Sequence, residues 1–527
     1  MGKKLLCFII AVCCALSLVA CGGTQKIAMD TSDKVDNTSF KGGFVAETTD
    51  YVYFINGAES YATTYTTGSV TKGALMRVKK SELADRSTAK YETVVSKLLV
   101  ADDTKAGFYI YGENVYYAVP STEKDTTGAV KMDQLNFFRT KLDATGTSSN
   151  IAGRDFPHSA QYRFISSGEN VYLVVYNTEL YVYDAKTCKE VYTTEAGKDD
   201  KKVEKIDVAE VLFSDSAVYF TTLPVNVDNS TEDSIQKQEF HNLFKISLGE
   251  TVSADVVIDG AGSFYQGQAG LLGVTIDLLR VHEGKVYFSY TEKNTQTGAS
   301  SVYVAVAEET LTAEKSKTWM TDITPIAKNK HTTSAYAETS IFYKDLVYYV
   351  DATYGLVCYD ASKVTDADTT DLGVSVVKYS ETLKTATLCF VSEEGENTYM
   401  YFRDSANNYY KVNLNGEEDE LRLNTFAINT TWYSPEVVQV GESYYFVCVY
   451  SDSEFGSYVY TINTTELAKK YAELTDEEKE DFYTEREEDE EESEEIVFRA
   501  EDYSEMLGQK SAADLEAEES SDDSDNA

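Results

Sequence analysis

The chain has 527 residues, of which 47 are basic and 88 acidic, and its formal net charge is −41. Nucleic-acid binding depends on basic contacts to phosphates, and electrostatic attraction to anionic lipid also requires basic residues. The charge therefore excludes nucleic acid as an expected partner and leaves no electrostatic route to a membrane surface.

The first 21 residues have the pattern of an export signal. Lys3 and Lys4 precede an apolar run from Leu5 to Ala20, which is too short and wrongly flanked for a membrane-spanning helix. The run ends in LVAC (18–21), followed by two glycines. This ending resembles the lipobox of bacterial lipoproteins, which implies that residues 1–20 are a signal peptide and that Cys21 becomes the diacylated first residue. The alternative is an ordinary secretory signal that happens to contain a cysteine.

Residues 21–42 are polar and are predicted to form a flexible tether after the lipid attachment site at Cys21. Two acyl chains anchor firmly, because each buried methylene contributes about 0.8 kcal/mol and one chain alone binds only marginally. No other apolar run in the sequence is long enough to span a membrane. We therefore predict a lipid anchor in the cell membrane, with the rest of the chain on the extracytoplasmic side.

A Val-Tyr-aromatic phrase recurs through residues 43–465. In the copy NVYLVVY (170–176), both faces carry large side chains, because successive side chains alternate across a strand. A sheet with one solvated face would alternate apolar with polar residues, so this strand is predicted to be covered on both faces. The aligned tyrosines are Tyr53, Tyr116, Tyr172, Tyr219, Tyr287, Tyr348, Tyr401 and Tyr445.

These tyrosines are between 44 and 68 residues apart, a spacing typical of propeller blades with four short strands. Blades stack against each other, which explains why both faces of each sheet are apolar. We predict an all-β fold, a β-propeller of seven or eight four-stranded blades over residues 43–465; the last two copies are degenerate, which leaves the number open. One large or two smaller β-sandwiches are the alternative, although sandwiches do not repeat their sequence.

The phrase and its return strands, such as LYVYD (180–184) and LVCYD (356–360), resemble tandem propeller repeats of bacterial lipoproteins of uncharacterised function. Their layout is similar to that of LDL-receptor-related propellers. The resemblance covers about residues 43–465 and implies a fold rather than an activity. No YWTD tetrad, Trp-Asp blade ending or Gly-Gly kelch doublet recurs.

Few residues of the propeller region point to chemistry, and we predict no catalytic residue, cofactor or metal. No serine nucleophile elbow occurs. Two acidic loops offer carboxylates to calcium but lack the EF-hand pattern, so they are interpreted first as solvated loops. Cross-strand packing explains most of the 40 tyrosines better than sugar stacking does. The scattered histidines are His158, His241, His282 and His331, and the acidic loops contain Asp228, Asn229, Asp233, Asp366, Asp368 and Asp371.

Beyond Cys21, the mature chain retains Cys188, Cys358, Cys389 and Cys448. Each lies in or beside the strands of a different repeat, so we predict four free thiols that pack as small buried apolar residues. Disulfide pairing, which an exported chain permits, is the alternative.

The last repeat contains three strand-like runs, at 436–440, 442–450 and 457–463, and helix formers follow them. We predict a three-stranded final blade, with a fourth strand from 27–29 or from 496–498 as the alternatives.

Residues 466–527 form a low-complexity tail with 26 acidic and 6 basic residues, a net charge of −20, and are predicted to be partly helical or disordered. Thr475 is a candidate helix N-cap. IVFRAEDYSEML (496–507) is the only later stretch with enough apolar residues to dock.

Together these features predict a membrane-anchored binding or scaffold propeller for an unknown protein, peptide or glycan. The alternatives are a propeller hydrolase or lyase acting on extracellular polysaccharide, and a subunit of an envelope-assembly or sensing complex. A role without catalysis is favoured because no catalytic constellation stands out.

Overall fold

A computed structural model describes residues 39–483 apart from a set of internal gaps. The gaps are 56–73, 83–91, 97–98, 100–106, 122–133, 146, 196–205, 223–224, 228–237, 260–270, 283–284, 295–299, 309–323, 329–339, 345, 361–374, 417–419, 425–434, 441, 453–455, 476 and 480–481. Within the described residues, no helix is long and apolar enough to cross a membrane.

The described strands form eight sheets, which are the blades of a β-propeller. The prediction of a propeller is confirmed, and the two degenerate repeats form blades of their own, which makes the number eight. A first strand, β1 (Ser39–Lys41), precedes blade 1. Blade 1 contains β2 (Val45–Glu47), β3 (Tyr51–Ile55), β4 (Leu75–Lys79) and β5 (Glu92–Val95), and blade 2 contains β6 (Phe108–Tyr111), β7 (Asn114–Pro120), β8 (Gln134–Lys141), β9 (Ser149–Asn150) and β10 (Phe156–Pro157). Blade 3 contains β11 (Gln161–Ser167), β12 (Asn170–Tyr176), β13 (Leu180–Asp184) and β14 (Lys189–Thr193), and blade 4 begins with β15 (Val208–Phe213) and β16 (Ala217–Thr222).

A short hairpin, β17 (Val225–Val227) and β18 (Gln238–Phe240), leaves blade 4 and pairs with the first strand of blade 5. Blade 4 then ends with β19 (Asn242–Ser247) and β20 (Ser253–Asp259). Blades 5 to 8 contain β21 (Leu271–His282), β22 (Lys285–Asn294), β23 (Ser300–Glu308), β24 (Thr324–Lys328); β25 (Ile341–Tyr343), β26 (Leu346–Asp351), β27 (Gly355–Asp360), β28 (Ser375–Lys378); β29 (Thr387–Glu394), β30 (Asn397–Arg403), β31 (Tyr409–Asn413), β32 (Leu421–Arg422); and β33 (Glu436–Val440), β34 (Ser443–Asp452), β35 (Gly456–Asn463).

The repeat tyrosine points toward the following blade. Tyr116 of blade 2 packs on Phe164 of blade 3 with ring centroids 5.5 Å apart. In the same way, Tyr401 of blade 7 stacks on Phe446 of blade 8 at 6.0 Å. The residue before the tyrosine points the other way, so Val115 lies in the core cluster shared with blade 1. Alternation along the strand thus gives each blade two buried faces, as the sequence predicts.

The turn before each repeat tyrosine is short, and its first residue often has a positive φ. Gly112, Gly168 and Gly395 have φ of 60°, 60° and 65° at this position, whereas blade 6 has Lys344 at 53°. Two-residue hairpins favour glycine there because the mirror-image turn matches the twist of the strands. Lys344 is therefore in a conformation that a side chain disfavours.

Blade 8 closes the ring with the same geometry as the other interfaces. Tyr445 and Val447 belong to the core cluster that contains Val52 and Phe54 of blade 1. The sheet of blade 8 has three strands among the described residues, as predicted. The two segments considered for a fourth strand, 27–29 and 496–498, lie outside the described residues.

A helix, α1 (Thr464–Ala472), follows β35 directly, in agreement with the helix formers in the sequence. The side chain of Asn463 caps it by accepting from the backbone N–H of Glu466 at 3.0 Å. Leu467 of the helix is buried in the core cluster of blades 7 and 8. Thr475 is confirmed as a second cap. Its hydroxyl accepts from the backbone N–H of Glu478 at 3.3 Å and donates to the side-chain carboxylate of Glu478 at 2.7 Å.

The N-terminal strand lies within the stretch predicted to be tether. β1 pairs antiparallel with β6, the first and therefore innermost strand of blade 2, with Ser39 opposite Tyr111 and Lys41 opposite Tyr109. The chain then reverses and enters blade 1. The segment before blade 1 thus adds an inner strand to blade 2 rather than an outer strand to blade 8.

A clasp of residues 42–44 with Gly107 and Glu436 joins blades 1, 2 and 8. The backbone N–H of Phe44 donates to Glu436 at 2.6 Å, and that of Phe108 donates to the carbonyl of Gly43 at 3.0 Å. A Cβ on Gly107 would lie 1.8 Å from that carbonyl oxygen, so only glycine permits the approach. The clasp links the first blades to the last at the centre of the ring.

Candidate binding surface

The two faces of the ring differ in their connections. The first and second strands of each blade are joined at one end, for example by Gly112–Glu113; we call this end the turn face. The second-to-third connections lie at the opposite end, which we call the loop face. Three of them are long by sequence, at 56–74, 121–133 and 223–241, and all begin and end at the loop face.

Most residues considered for chemistry lie outside the described part of the chain. This holds for Cys21, His331 and both acidic loops, while the side chain of His282 is likewise not described. His241 accepts a hydrogen bond at Nδ1 from the backbone N–H of Ile276 at 3.1 Å, which links blade 4 to blade 5. The described residues contain no group of three His, Cys, Asp or Glu side chains that would hold a metal.

The three described cysteines, Cys188, Cys358 and Cys389, are free thiols, as predicted. Burial raises the pKa of Cys389 to about 12, so it is a protonated packing residue rather than a nucleophile at neutral pH. All three residues are half-buried rather than fully buried, and Cys188 lies beside a strand. It lies in the turn between β13 and β14 with a φ of 56° and is half-buried.

Two buried ion pairs each join strands of a single blade. In blade 7, the ammonium of Lys411 lies 2.9 Å from the carboxylate of Glu394, and their side chains are 4% and 5% exposed. The hydroxyl of Tyr401 donates to the same carboxylate. In blade 1, Arg77 lies 2.7 Å from Glu92. These groups are closed off from solvent, so they hold strands together and do not meet a substrate.

A basic residue stands opposite the repeat tyrosine in four blades. The repeat therefore has a second recurring feature, on the third strand, which the Val-Tyr-aromatic phrase does not include. It was detectable in LMRVK, FFRTK, LFKIS and YYKVN, where the basic residue occupies the middle position. The pairs are Tyr53 with Arg77, Tyr116 with Arg139, Tyr219 with Lys245 and Tyr401 with Lys411.

An apolar patch stands out on blade 6. Four large apolar side chains are exposed among the described residues, and three of them lie together here. Tyr354, Val376 and Tyr379 are 56%, 54% and 60% exposed, and we call them the tyrosine patch. The fourth, Val191, is isolated on the outer strand of blade 3. Clustered exposed apolar residues mark interaction surfaces more often than single ones do.

Local backbone geometry places the two tyrosines side by side at the loop face. Asp351 fixes the turn after β26 by accepting from the backbone N–H groups of Thr353 and Tyr354 at 2.7 and 3.0 Å. Gly355 follows with a φ of 74°, and a Cβ on it would lie 3.3 Å from the Cα of Tyr379. The glycine therefore allows the turn that carries Tyr354 to approach the end of β28.

Polar groups hold Tyr379 in place. The ammonium of Lys384 lies 4.8 Å from the centre of its ring, and the Tyr379 hydroxyl donates to Glu381 at 3.2 Å. Lys384 and Glu381 pair at 2.9 Å, and this hydrogen bond lowers the pKa of Glu381. The next residue, Ser380, donates to Glu420 of blade 7 at 2.8 Å. The patch can stack on a ligand and exchange hydrogen bonds with it, but no acid–base pair is poised over it.

The recurring phrase predicts that most tyrosines lie in strands, and the aligned tyrosines are packed between blades. Tyr354 and Tyr379 are exceptions, because they lie outside the Val-Tyr-aromatic phrase, in a turn and just after an outer strand. For Tyr354 the available signal was its position in a turn, directly before Gly355.

Comparisons with known proteins give similarity of fold only. No protein-family model matches the chain, and no curated protein matches it. A structure of BamB from Moraxella catarrhalis is 10% identical with a TM-score of 0.32, covering 82% of this chain and 99% of that one. A post-proline cleaving enzyme from Rickettsia typhi is 11% identical with a TM-score of 0.36, covering 67% of this chain and 50% of that one. A chain of a mitotic checkpoint complex is 10% identical with a TM-score of 0.30, covering 70% and 89%. With sequence identities and TM-scores this low, the similarity to these structures carries no inference about function.

Proposed function

We propose that this protein is a bacterial lipoprotein, anchored through Cys21 on the extracytoplasmic side of the cell membrane, whose propeller binds a protein, peptide or glycan. The observation that carries the binding role is the tyrosine patch on the loop face. It is a surface with two exposed tyrosines on neighbouring backbone segments, of which Tyr379 is held by Lys384 and Glu381, and exposed tyrosines suit recognition. The resemblance to lipoprotein propeller repeats, with an LDL-receptor-like layout, supports the anchored propeller and does not identify the ligand.

The position of β1 gives the anchored protein an orientation. Ser39 pairs with Tyr111 at the turn-face end of blade 2, so the chain before it leaves the ring at the turn face. Cys21 precedes Ser39 by 18 residues, which reach at most about 60–65 Å when extended and average roughly 21–25 Å as a flexible chain. This attachment point supports an arrangement in which the tether joins the turn face and the loop face, with the tyrosine patch, stays open to a partner.

The patch favours binding over catalysis. Its side chains are two phenols and a valine, flanked by an exposed carboxylate and ammonium that already pair with each other. These groups stack and donate or accept hydrogen bonds, but the carboxylate and the ammonium are bonded to each other rather than left open to act as a general acid or base. The polysaccharide hydrolase remains an outcome that the binding test would reveal.

Recovery of partners from membranes tests the proposal. We expect the full-length lipoprotein to co-purify with a stable partner or to bind on a glycan array, and Tyr354→Ser combined with Tyr379→Ser to reduce this binding at least about tenfold, a loss of ~1.4 kcal/mol. Val191→Ser, which removes the exposed apolar side chain on blade 3, is the control. Equal binding by the double variant, or turnover of a glycan by the wild type, would contradict the assignment.

The anchor is tested separately. Cys21→Ser should release the protein from the membrane fraction or leave it as unprocessed precursor, because the diacyl attachment point is gone. Normal cleavage with retention in the membrane would show that another part of the chain holds it there.

A further inference from the structure

The turn after β26 places an aromatic ring beside a carboxylate. The Oδ1 atom of Asp351 accepts from the backbone N–H groups of Thr353 and Tyr354, so the carboxylate lies 3.0 Å from the backbone nitrogen of Tyr354. The other carboxylate oxygen, Oδ2, has no hydrogen-bond or ion-pair partner among the described residues, and neither has the Tyr354 hydroxyl. The Tyr354 ring is 56% exposed and contacts no described cation or aromatic ring. The turn thus offers a ring and a carboxylate oxygen to an incoming group.

Elsewhere in this protein, a tyrosine and a carboxylate together hold a cation. In five such sets the basic group lies 4.1–4.8 Å from the centre of the tyrosine ring and 2.7–3.8 Å from a carboxylate oxygen. The face of the ring attracts the positive charge, and the carboxylate adds a charge-assisted hydrogen bond. The sets are Arg77 with Tyr51 and Glu92, Arg154 with Tyr181 and Glu195, Lys344 with Tyr343 and Glu393, Lys384 with Tyr379 and Glu381, and Lys411 with Tyr399 and Glu394. Tyr354 and Asp351 supply the same two groups, but no described residue supplies the cation.

The charges around the tyrosine patch favour a basic ligand. Three carboxylates, those of Asp351, Glu381 and Glu420, lie at or beside the patch, together with the ammonium groups of Lys378 and Lys384. Lys384 pairs with Glu381 at 2.9 Å, so these two charges offset each other. Of the three that remain, two are negative, and the chain as a whole has a net charge of −41. Electrostatic complementarity therefore favours a positively charged group over an acidic one.

We propose that the turn 351–354 receives an arginine side chain of a partner protein or peptide. The inference rests on the proposed function, because it takes the tyrosine patch as the partner-binding surface and names the chemistry that the surface recognises. A planar guanidinium stacks on the Tyr354 ring and donates to the Asp351 carboxylate at the same time, which the compact ammonium of lysine does less well. The methylene groups of the arginine pack on Val376, which is 54% exposed. A neutral glycan has no cation to place there.

Fluorescence anisotropy with a labelled tetra-arginine peptide tests this recognition on the full mature chain. About 0.15 M salt screens most charges more than ~8 Å away. Asp351→Asn keeps an oxygen that accepts the two backbone bonds but loses the charge, and Tyr354→Leu keeps an apolar side chain but loses the ring. Each should weaken peptide binding about twofold to fivefold, and the two together about tenfold. Glu396→Gln removes an exposed carboxylate on the turn face and, as the control, should change binding by less than about 1.5-fold.

A second probe separates charge from shape. Tetra-citrulline has the same length, but a neutral urea group replaces each guanidinium, so it should bind at least about tenfold more weakly. Equal binding of the two peptides would overturn the inference. An equal loss for Glu396→Gln and the two turn variants would show only general attraction to an acidic chain, which also overturns it.

Failure of this inference is distinguishable from failure of the proposed function. If the turn variants bind tetra-arginine like the wild type while Tyr354→Ser with Tyr379→Ser still loses its protein or glycan partner, the proposed function stands and arginine recognition falls. If peptide binding depends on the turn but the double tyrosine variant keeps its partner, the arginine site stands and the patch is not the surface that binds that partner.

Discussion

Replacing Lys411 by methionine probes whether the blades depend on buried charge. Its ammonium lies 2.9 Å from the carboxylate of Glu394, and both side chains are at most 5% exposed. The substitution keeps the length of the side chain but removes the ammonium. Of the two groups that bond the Glu394 carboxylate, the Lys411 ammonium and the Tyr401 hydroxyl, the hydroxyl then remains. Breaking one side of a buried ion pair costs about 3–5 kcal/mol, because the other charge stays buried without compensation.

A second substitution separates lost attraction from stranded charge. Lys411→Met combined with Glu394→Leu removes both charges, and replacing a whole buried pair by apolar residues is often neutral. Tyr401 then loses its acceptor, which costs about 1–3 kcal/mol. We therefore expect the double variant to be more stable than Lys411→Met alone and to remain within about 3 kcal/mol of the wild type.

Urea unfolding followed by circular dichroism measures these differences, with the midpoint and the slope compared between variants. Lys470→Met on α1 is the control, because its ion pair with Glu466 is solvent-exposed, at 65% and 58%, and is worth only about 0.2–0.5 kcal/mol. A loss for Lys411→Met no larger than that of the control would refute the burial of this pair. A double variant less stable than the single one would refute the stranded-charge explanation.

Three further predictions concern the turns and the tail. Gly107→Ala should destabilise the protein by more than about 2 kcal/mol, since it adds a clash to the left-handed strain, whereas Gly112→Ala, with open space around it, costs about 1 kcal/mol; similar urea midpoints for the two would show that the clasp is loose. Lys344→Gly should raise the thermal midpoint, because glycine adopts a φ of 53° without strain; a fall would mean that the lost ion pair of Lys344 with Glu393, an exposed contact at 2.9 Å, matters more. Deleting 485–527 should leave the midpoint nearly unchanged, whereas a chain that also lacks α1 should lose stability with the buried Leu467; calorimetry that shows a large fall for the shorter deletion would indicate that the tail completes a blade.

The sequence determined the blade but not every contact of the ring. Alternation along NVYLVVY fixes which side chains face each neighbour, and the repeat of the phrase predicts that all blades are built alike. These properties are local, so they could be derived residue by residue. The three-stranded final blade and the helix after it were also predicted, since helix propensity follows directly from TELAKKYAEL (465–474).

The tertiary structure decided what depends on pairs far apart in the chain. β1 pairs with blade 2 rather than blade 8, and the clasp brings Gly43 to Glu436. Tyr354 and Tyr379 form one patch only because a turn and a strand end meet at the loop face. Strand periodicity specifies the direction of a side chain within its own blade, whereas the meeting of distant segments depends on how eight blades share one ring, which no local pattern encodes.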